Sequence, residues 1–306
     1  MERLTEPWWS CRLAVVTRTT VGVPTRVLVL GMTGHDGTVA MQALLPVAEA
    51  CGQSSEQLRS CLRRLVAEGL FERDGTGKAA VYAATEAGMA ALGQSVERQR
   101  LAYAQDAAGR GWDRHWRLVA FAIPEVRRAA RDAFRDRLLA LGGAAIHNGL
   151  YVSAHRWDKD ALGEAERLDV TEHVTVASTE DLDVGGVRDA RELAVRLWPV
   201  DELAARYQRF IDTYRDTPTR LGEMRSRHER LPDADFLPAA LAMGVAFQEC
   251  FDDDPLLPPE LLPRPWPGRE ARELVVRSRR LALQIRAAHD RPSLFRTFDD
   301  LLESIP

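Results

Sequence analysis

The stretch SSEQLRSCLRRLVAEGLFERDGTGKAAVYAAT, residues 54–85, predicts a helix that is followed directly by a β-hairpin. Ser54 and Gln57 have the spacing of a capping box, which begins a helix. Two short β-like runs, 70–73 and 79–83, flank the glycine-rich DGTGK and complete the hairpin. The apolar positions of the helix fall at helical intervals on one predicted core face: Leu58, Cys61, Leu62, Leu65 and Val66.

The other face of this helix carries hydrogen-bonding side chains that suit DNA. Arginine can bind guanine O6 and N7 in a fork, and serine can contact a base or a phosphate. Upstream, TRVLVLGM (25–32) and AMQALLPVAEACG (40–52) predict two more helices, the second starting near Leu44 or bending at Pro46. The residues of the outward face are Arg59, Ser60, Arg63 and Arg64.

Three short helices and a hairpin predict a winged helix-turn-helix over residues 25–84, which we call the head. Arg73 and Lys78 of the hairpin are candidate phosphate contacts. A solvated helix in a helical bundle is the alternative interpretation. The net charge of the chain is -4, and the head carries six basic and six acidic side chains. Attraction to DNA must therefore come from one face, and non-specific affinity is expected to be weak and salt-sensitive.

The length of 306 residues predicts two or three domains rather than one core. The four cysteines have no metal-ligand spacing, so neither a metal site nor a disulfide framework is expected, which suits a reducing cytoplasm. The first residues do not resemble a signal peptide, and nowhere do eighteen apolar residues run together. A cytoplasmic protein without a membrane partner is expected.

Residues 112–180 alternate between strand and helix patterns, with a hairpin signal at Asn148-Gly149. The order β-α-β-β-α-β predicts a ferredoxin-like domain. His147 and His155 flank the hairpin, but without further ligands at a suitable spacing we interpret them as surface histidines and expect no metal. The elements are predicted in WRLVAFAI (116–123), EVRRAARDAFRDRLLALGG (125–143), AAIHNGLYVSAH (144–155), KDALGEAERL (159–168) and EHVTVAS (172–178).

Residues 189–306 are predicted to be mainly helical, with a helix near Pro199, a polar loop or loosely held helix over 221–235, and a buried helix over 236–251. DPLLPPELLPRPWPG, residues 254–268, follows; we call it the proline connector. Its prolines reduce the entropy lost on ordering, so its leucines are expected to pin it across helices. Further on, three arginines at seven-residue spacing predict a solvated positive stripe: Arg272, Arg279 and Arg286.

From about Thr25 to His289, the sequence resembles the PaaX family of bacterial transcriptional repressors. The resemblance rests on LRSCLRRLVAEGLFE, YAATEAG, HWRLVAFAIPE, LWPVDELAARYQRFI and above all DPLLPPELLPRPWPGREAREL. It implies a winged helix, a Cas2-like ferredoxin-like middle domain and a helical C-terminal domain. It also implies a homodimer that represses genes of aromatic-acid breakdown and is released from operator DNA by an aryl-acetyl-CoA thioester. Arg59 and Arg64 match arginine positions of the family's recognition helix.

These observations together predict an α+β multidomain chain that binds a small acid or acyl-CoA effector and needs no cofactor. Arg264 and Trp266 do not fit a purely structural role and are candidate effector contacts, together with His147 and Tyr151. The alternatives are that Arg264 forms a surface ion pair and that Trp266 fills space in the core. The predicted parts are an N-terminal segment (1–24), a winged-helix domain with a trailing helix (25–108), a ferredoxin-like domain (112–180) and a helical effector and dimerisation domain (189–306).

Two segments depart from the family pattern. GKAAVY (77–82) has one lysine where the family's hairpin is commonly more basic, which predicts weaker operator binding. AFQEC (246–250) has Gln248 and Glu249 where the family often has an arginine-containing segment. Because a glutamate would repel the anionic CoA moiety, the effector is expected to be a different small acid or metabolite.

Two enzyme hypotheses are alternatives to the repressor hypothesis. A biosynthetic enzyme on the same scaffold could use His147, Tyr151 and His155 as acid-base groups, but the chain has no G-x-S-x-G, P-loop or HExxH motif. A nuclease, by analogy with the Cas2-like domain, needs an acidic metal ligand at the end of the first strand, where the sequence has FAIPE (121–125) without an aspartate. We therefore predict a non-enzyme and assign no catalytic residue.

Overall fold

A computed structural model describes residues 24–286, apart from the side chains of residues 94, 95, 233 and 234. Residues 1–23 of the predicted N-terminal segment and residues 287–306 of the predicted C-terminal domain lie outside the described residues. The chain forms two compact units. The described part of the first unit comprises 24–100, 209–249 and 270–286, and the second unit comprises 101–208 and 250–269.

The head contains the three predicted helices and a small sheet. The capping box is confirmed, because the Gln57 amide donates to Ser54 Oγ (3.2 Å) and the Ser54 amide donates to Gln57 Oε1 (2.7 Å). The elements in chain order are α1 (Thr25–Met32), β1 (Thr38–Ala40), α2 (Met41–Ala50), α3 (Ser55–Ala67), β2 (Phe71–Asp74) and β3 (Val81–Ala84).

The start of α2 near Leu44 and the burial of Val66 are two local expectations for the head that are wrong. Helix α2 already begins at Met41 and includes Pro46, because burial of Met41 and Leu44 offsets the hydrogen bond that the proline removes. Val66 is exposed rather than in the core. It follows Leu58 by eight residues, which turns it about 80° away from that core position after two full turns.

The sheet of the head has the order β1-β3-β2, with both pairs antiparallel. The predicted hairpin is present as β2 and β3. Strand β1 was not predicted, because three residues are too few to show a period-two pattern. After the sheet comes the predicted trailing helix, α4 (Glu86–Ala108), and the hydroxyl of Thr85 directly before it accepts the Gly88 amide at 3.1 Å.

The second unit contains the predicted β-α-β-β-α-β order. Its four-stranded antiparallel sheet has the order β5-β6-β4-β7, which is the ferredoxin-like arrangement. Gly149 has a φ of 77° in the turn between β5 and β6, as the Asn-Gly signal requires. The elements are β4 (Trp116–Phe121), α5 (Arg128–Ala140), β5 (Ala144–His147), β6 (Leu150–Ser153), α6 (Asp158–Arg167) and β7 (Val174–Thr179).

The remaining helices include one that was not predicted, α7 (Ala190–Leu197). The Asp189 side chain caps it by accepting the amides of Arg191 and Glu192, both at 3.0 Å. The later helices are α8 (Val200–Tyr214), α9 (Thr217–Ser226), α10 (Asp233–Phe251) and α11 (Pro267–Ile285). The polar segment 221–235 is helical at both ends, because its first residues belong to α9 and its last three belong to α10.

The four-stranded sheet is covered on both faces. On one face α5 and α6 bury Val119 and Tyr151 in a core that includes Phe134. On the other face, Trp116 and Val152 pack with α7 and with three leucines of the proline connector. Those leucines are Leu257, Leu261 and Leu262. The connector therefore serves as the cover of the second sheet face.

Polar side chains hold this connector at two points, Asp254 at its start and Glu260 near its middle. The Tyr207 hydroxyl donates to Asp254 Oδ2 (2.7 Å), and Asp254 Oδ1 accepts the Leu256 amide (2.8 Å). Farther along, the Glu260 carboxylate accepts the Gly111 amide at 3.1 Å. Because Asp254 is buried, its hydrogen bonds to the hydroxyl and the amide replace the water that the carboxylate loses.

The expectation of a solvated arginine stripe on α11 is wrong. Arg272, Arg279 and Arg286 are each at most 8% exposed. The guanidinium groups of Arg279 and Arg286 lie over the ring of Phe236 on α10, with their central carbons 5.5 and 5.7 Å from its centroid. For Arg279 and for Arg286, which directly follows α11, burial therefore reflects packing against α10, which seven-residue spacing alone does not reveal.

One ion pair of the second unit leads to a prediction about acid stability. Arg117 on β4 is buried and binds Asp113 in a fork, with Nη1–Oδ1 and Nη2–Oδ2 distances of 2.8 and 2.5 Å. This guanidinium holds the pKa of the Asp113 carboxyl well below its usual range. Because the folded-state pKa is lower than that of the unfolded chain, the stabilisation is complete above about pH 4 and is lost as pH falls toward the lowered value.

We expect Asp113→Asn to lower the free energy of unfolding at pH 7 by about 2 kcal/mol, since it leaves a buried guanidinium without its carboxylate. The difference from the unsubstituted protein should shrink between about pH 4 and pH 2. Urea denaturation across this pH range measures both effects. Asp183→Asn is the matched control, because the Asp183–Arg188 pair is solvent-exposed and contributes little. Equal effects of the two substitutions at pH 7 contradict the prediction.

Candidate nucleic-acid interface

The outward face of α3 presents the four side chains that the sequence assigns to DNA. Arg59, Arg63 and Arg64 are exposed and Ser60 is partly exposed. The same helix buries Leu58, Leu62 and Leu65 completely on its inner face. Because the leucines fix the rotation of the helix, the arginines point into solvent together. The structure thus brings Arg59, Ser60, Arg63 and Arg64 onto one surface.

Neighbouring charges affect these arginines differently. Arg63 Nη2 lies 3.1 Å from Glu56 Oε1, and both side chains are mostly exposed. Within residues 24–286, no ion pair involves Arg59 or Arg64. Arg64 lies beside Cys61: burial raises the pKa of the Cys61 thiol, and the guanidinium opposes that rise only in part. Arg59 and Arg64 are therefore the arginines of this face with the least competition from carboxylates.

The rotation of α3 is also held at its far end. Arg26 at the start of α1 binds Glu68, which follows α3, with an N–O distance of 2.6 Å. The hairpin adds two exposed basic side chains, Arg73 on β2 and Lys78 in the turn between the strands. Buried Phe71 belongs to the same core as the inner leucines of α3 and anchors this hairpin to the helix.

Exposed acidic side chains lie on α3 and on the hairpin, beside the basic side chains of the candidate interface. Glu56, Glu72 and Asp74 are exposed on the same elements as the basic side chains. Sequence reasoning counted these carboxylates but did not assign Glu56 to the outward face. The signal was present, because Glu56 precedes Arg59, Ser60 and Arg63 by three, four and seven residues.

The four candidate effector contacts lie in different environments. Tyr151 is buried on the helix side of the four-stranded sheet, stacked on Phe121 with centroids 5.6 Å apart, and burial raises its pKa. Trp266 is half-buried on the opposite face, edge-on to Tyr207 at 6.1 Å. His147 and Arg264 are exposed. The structure therefore does not bring Tyr151 and Trp266 together, and an effector site made of these residues stays a prediction.

Two further features of the described chain bear on function. No group of three or more His, Cys, Asp or Glu side chains in residues 24–286 is arranged to hold a metal ion. Over the same residues, none of the helices combines the length and the apolar character that crossing a membrane requires.

Comparison with known proteins connects these features to other sequences and structures. The chain is 24% identical over 241 residues to the transcriptional repressor PaaX of Escherichia coli strain K12, covering 78% of this chain and 73% of that protein. Its fold is similar to that of the uncharacterized protein Rv0674 from Mycobacterium tuberculosis, with a TM-score of 0.53 and 18% identity. That similarity covers 87% of this chain and 97% of the other, and it concerns the fold alone.

Two family models match consecutive parts of the chain. The PaaX protein central Cas2-like domain matches residues 109–194, which contain the four-stranded sheet, and the PaaX-like protein C-terminal domain matches residues 198–290. Together the two matched ranges make up more than half of the chain. The chain therefore belongs to the PaaX family.

Proposed function

We propose that this protein is a DNA-binding transcriptional repressor and that its head is a winged helix-turn-helix. The observation that carries the proposal is the outward face of α3, where Arg59, Ser60, Arg63 and Arg64 share one exposed surface. The capping box and the buried leucines hold that surface in place. The similarity to a transcriptional repressor of Escherichia coli supports the same function.

In this proposal α3 is the recognition helix and lies in the major groove. Arg59 and Arg64 bind guanine O6 and N7, and Ser60 and Arg63 contact neighbouring bases or phosphates. Arg73 and Lys78 bind the phosphate backbone beside the groove. A two-fold homodimer places two recognition helices on half-sites about 10 bp apart, or a multiple of that distance.

We further propose that a small acid, an acyl-CoA or an aromatic acid controls this binding. Helix α10 supports such control, because its Leu241 and Val245 are part of the core of the head. A ligand that displaces α10 also disturbs the packing beneath the recognition helix. A coupling free energy of about 1–3 kcal/mol is enough for a regulatory response. His147, Tyr151, Arg264 and Trp266 stay the candidate effector contacts, but Tyr151 and Trp266 lie on opposite faces of the sheet and would not contact one small molecule together.

A fluorescence anisotropy titration tests this function, using a duplex from the promoter of the protein's own gene and a scrambled duplex of equal length at 50–100 mM salt. We expect the promoter to bind at least about a thousandfold more tightly, with an affinity that falls linearly in logarithmic salt concentration. Acyl-CoAs and free aromatic acids are then added one at a time, and at least one of these small acids is expected to release the promoter duplex. Equal affinity for the two duplexes contradicts the proposal.

A further inference from the structure

Glu56 carries a negative charge within the otherwise basic outward face of α3. Glu56 lies in the first turn of the helix, and its side chain is 73% exposed. Its Oε1 is 3.1 Å from Arg63 Nη2, two turns further along. The Arg63 guanidinium is thereby drawn toward the N-terminal end of the helix. In a recognition helix that end is the part that meets base edges.

A carboxylate at this position has a defined chemical consequence beside DNA. The N-terminal turn of a helix favours negative charge, so Glu56 is compatible with the folded head. Phosphates repel it, so it weakens contacts that depend on the backbone alone. In the major groove, the cytosine N4 amino group is the donor from which a glutamate characteristically accepts a hydrogen bond.

We propose that Glu56 is a specificity-determining residue of the DNA interface. It accepts a hydrogen bond from a cytosine amino group and directs Arg63 to a neighbouring guanine. On DNA without this base step, Glu56 keeps Arg63 engaged and out of reach of the phosphates. This inference rests on the proposed function. The Glu56–Arg63 pair would then raise the affinity for the correct site and lower the affinity for other sequences.

The positions of Glu56 and Arg63 on α3 allow them to bind neighbouring bases and also to bind each other. Glu56 and Arg63 are seven residues apart, which places them on the same side of α3 after two turns. Both side chains are solvent-exposed, so neither is needed to fill the core. Because exposed ion pairs contribute little to stability, the fold alone gives no strong reason for this pair.

The test compares Glu56→Gln with the unsubstituted protein in two measurements. First, each protein selects binding sites from a pool of random duplexes, and the selected sequences are read. Second, anisotropy gives affinities for the site selected by the unsubstituted protein and for a random duplex over a range of salt concentrations. Glu86→Gln is the matched control, since Glu86 is also an exposed carboxylate in the first turn of a helix.

We expect Glu56→Gln to bind the random duplex several-fold more tightly, with a salt dependence steeper by about one phosphate contact. Its affinity for the selected site should fall, so that the ratio of the two affinities decreases by about tenfold or more. The preference for cytosine at one position of each half-site should disappear. Arg63→Gln should relax the sequence preference at the adjacent position, and Glu86→Gln should change neither quantity.

The outcomes separate this inference from the proposed function. If the unsubstituted protein selects a sequence and Glu56→Gln selects the same one with an unchanged salt dependence, the role of Glu56 is refuted while the repressor stands. If the unsubstituted protein selects no sequence at all, both proposals are refuted. Thermal denaturation of Glu56→Gln close to that of the unsubstituted protein shows that a change in selection is not a folding defect.

Discussion

Leu241→Ala is expected to lower the free energy of unfolding of the head by about 3 kcal/mol, although the residue lies more than 150 positions after the head in the sequence. Leu241 is fully buried and belongs to the same core as Leu28, Leu44 and Leu62. Shortening it leaves a cavity among these leucines that the surrounding helices can fill only in part. Hydrogen exchange of the α3 amides measures the loss, because these amides report opening of the head itself.

The matched control is Leu139→Ala in α5. Leu139 is 46% exposed, so the same chemical change should cost well under 1 kcal/mol and leave exchange of the α3 amides unchanged. Equal protection of α3 in Leu241→Ala and in the unsubstituted protein shows that α10 is not part of the head in solution. The proposed regulation of DNA binding through α10 would then have no structural basis.

The second large effect concerns the double substitution Arg59→Ala/Arg64→Ala. Each bidentate arginine–guanine pair contributes about 1–3 kcal/mol, so losing two should weaken promoter binding by two to three orders of magnitude. Thermal stability should stay unchanged, since both side chains are exposed. Anisotropy with the promoter duplex and a melting curve measure the two quantities.

Arg110→Ala/Arg225→Ala is the control for this experiment. It removes the same total charge at two exposed positions outside the head. Binding that falls equally in both double variants indicates a general charge effect, and binding retained by Arg59→Ala/Arg64→Ala means that α3 is not the recognition helix.

The head was predictable from sequence because its signals are local. The capping box at Ser54 and Gln57, the four buried positions of α3 and the glycine-rich hairpin turn each involve a few neighbouring residues. The same reasoning gave the strand-helix order of the ferredoxin-like sheet. Its elements are bounded by clear signals such as Asn148-Gly149.

The features that the sequence did not show depend on distant parts of the chain. Strand β1 is defined by its pairing with β3 about forty residues later. Burial of Arg279 and Arg286 depends on Phe236 in another helix. For the candidate site, residues on one helix could be grouped correctly, because helical spacing fixes their shared face. The proposed effector contacts lie on separate elements, and no spacing rule relates Tyr151 to Trp266.

The cover that the proline connector provides has a consequence for dissecting the molecule. The matched range 109–194 includes the whole four-stranded sheet but stops sixty residues before the leucines of the connector. Expressed alone, this range would lose the three leucines that pack with Trp116 and Val152, and the apolar surface uncovered in this way is expected to promote aggregation. A fragment limited to the matched range is therefore expected to be less soluble than one that also contains the proline connector.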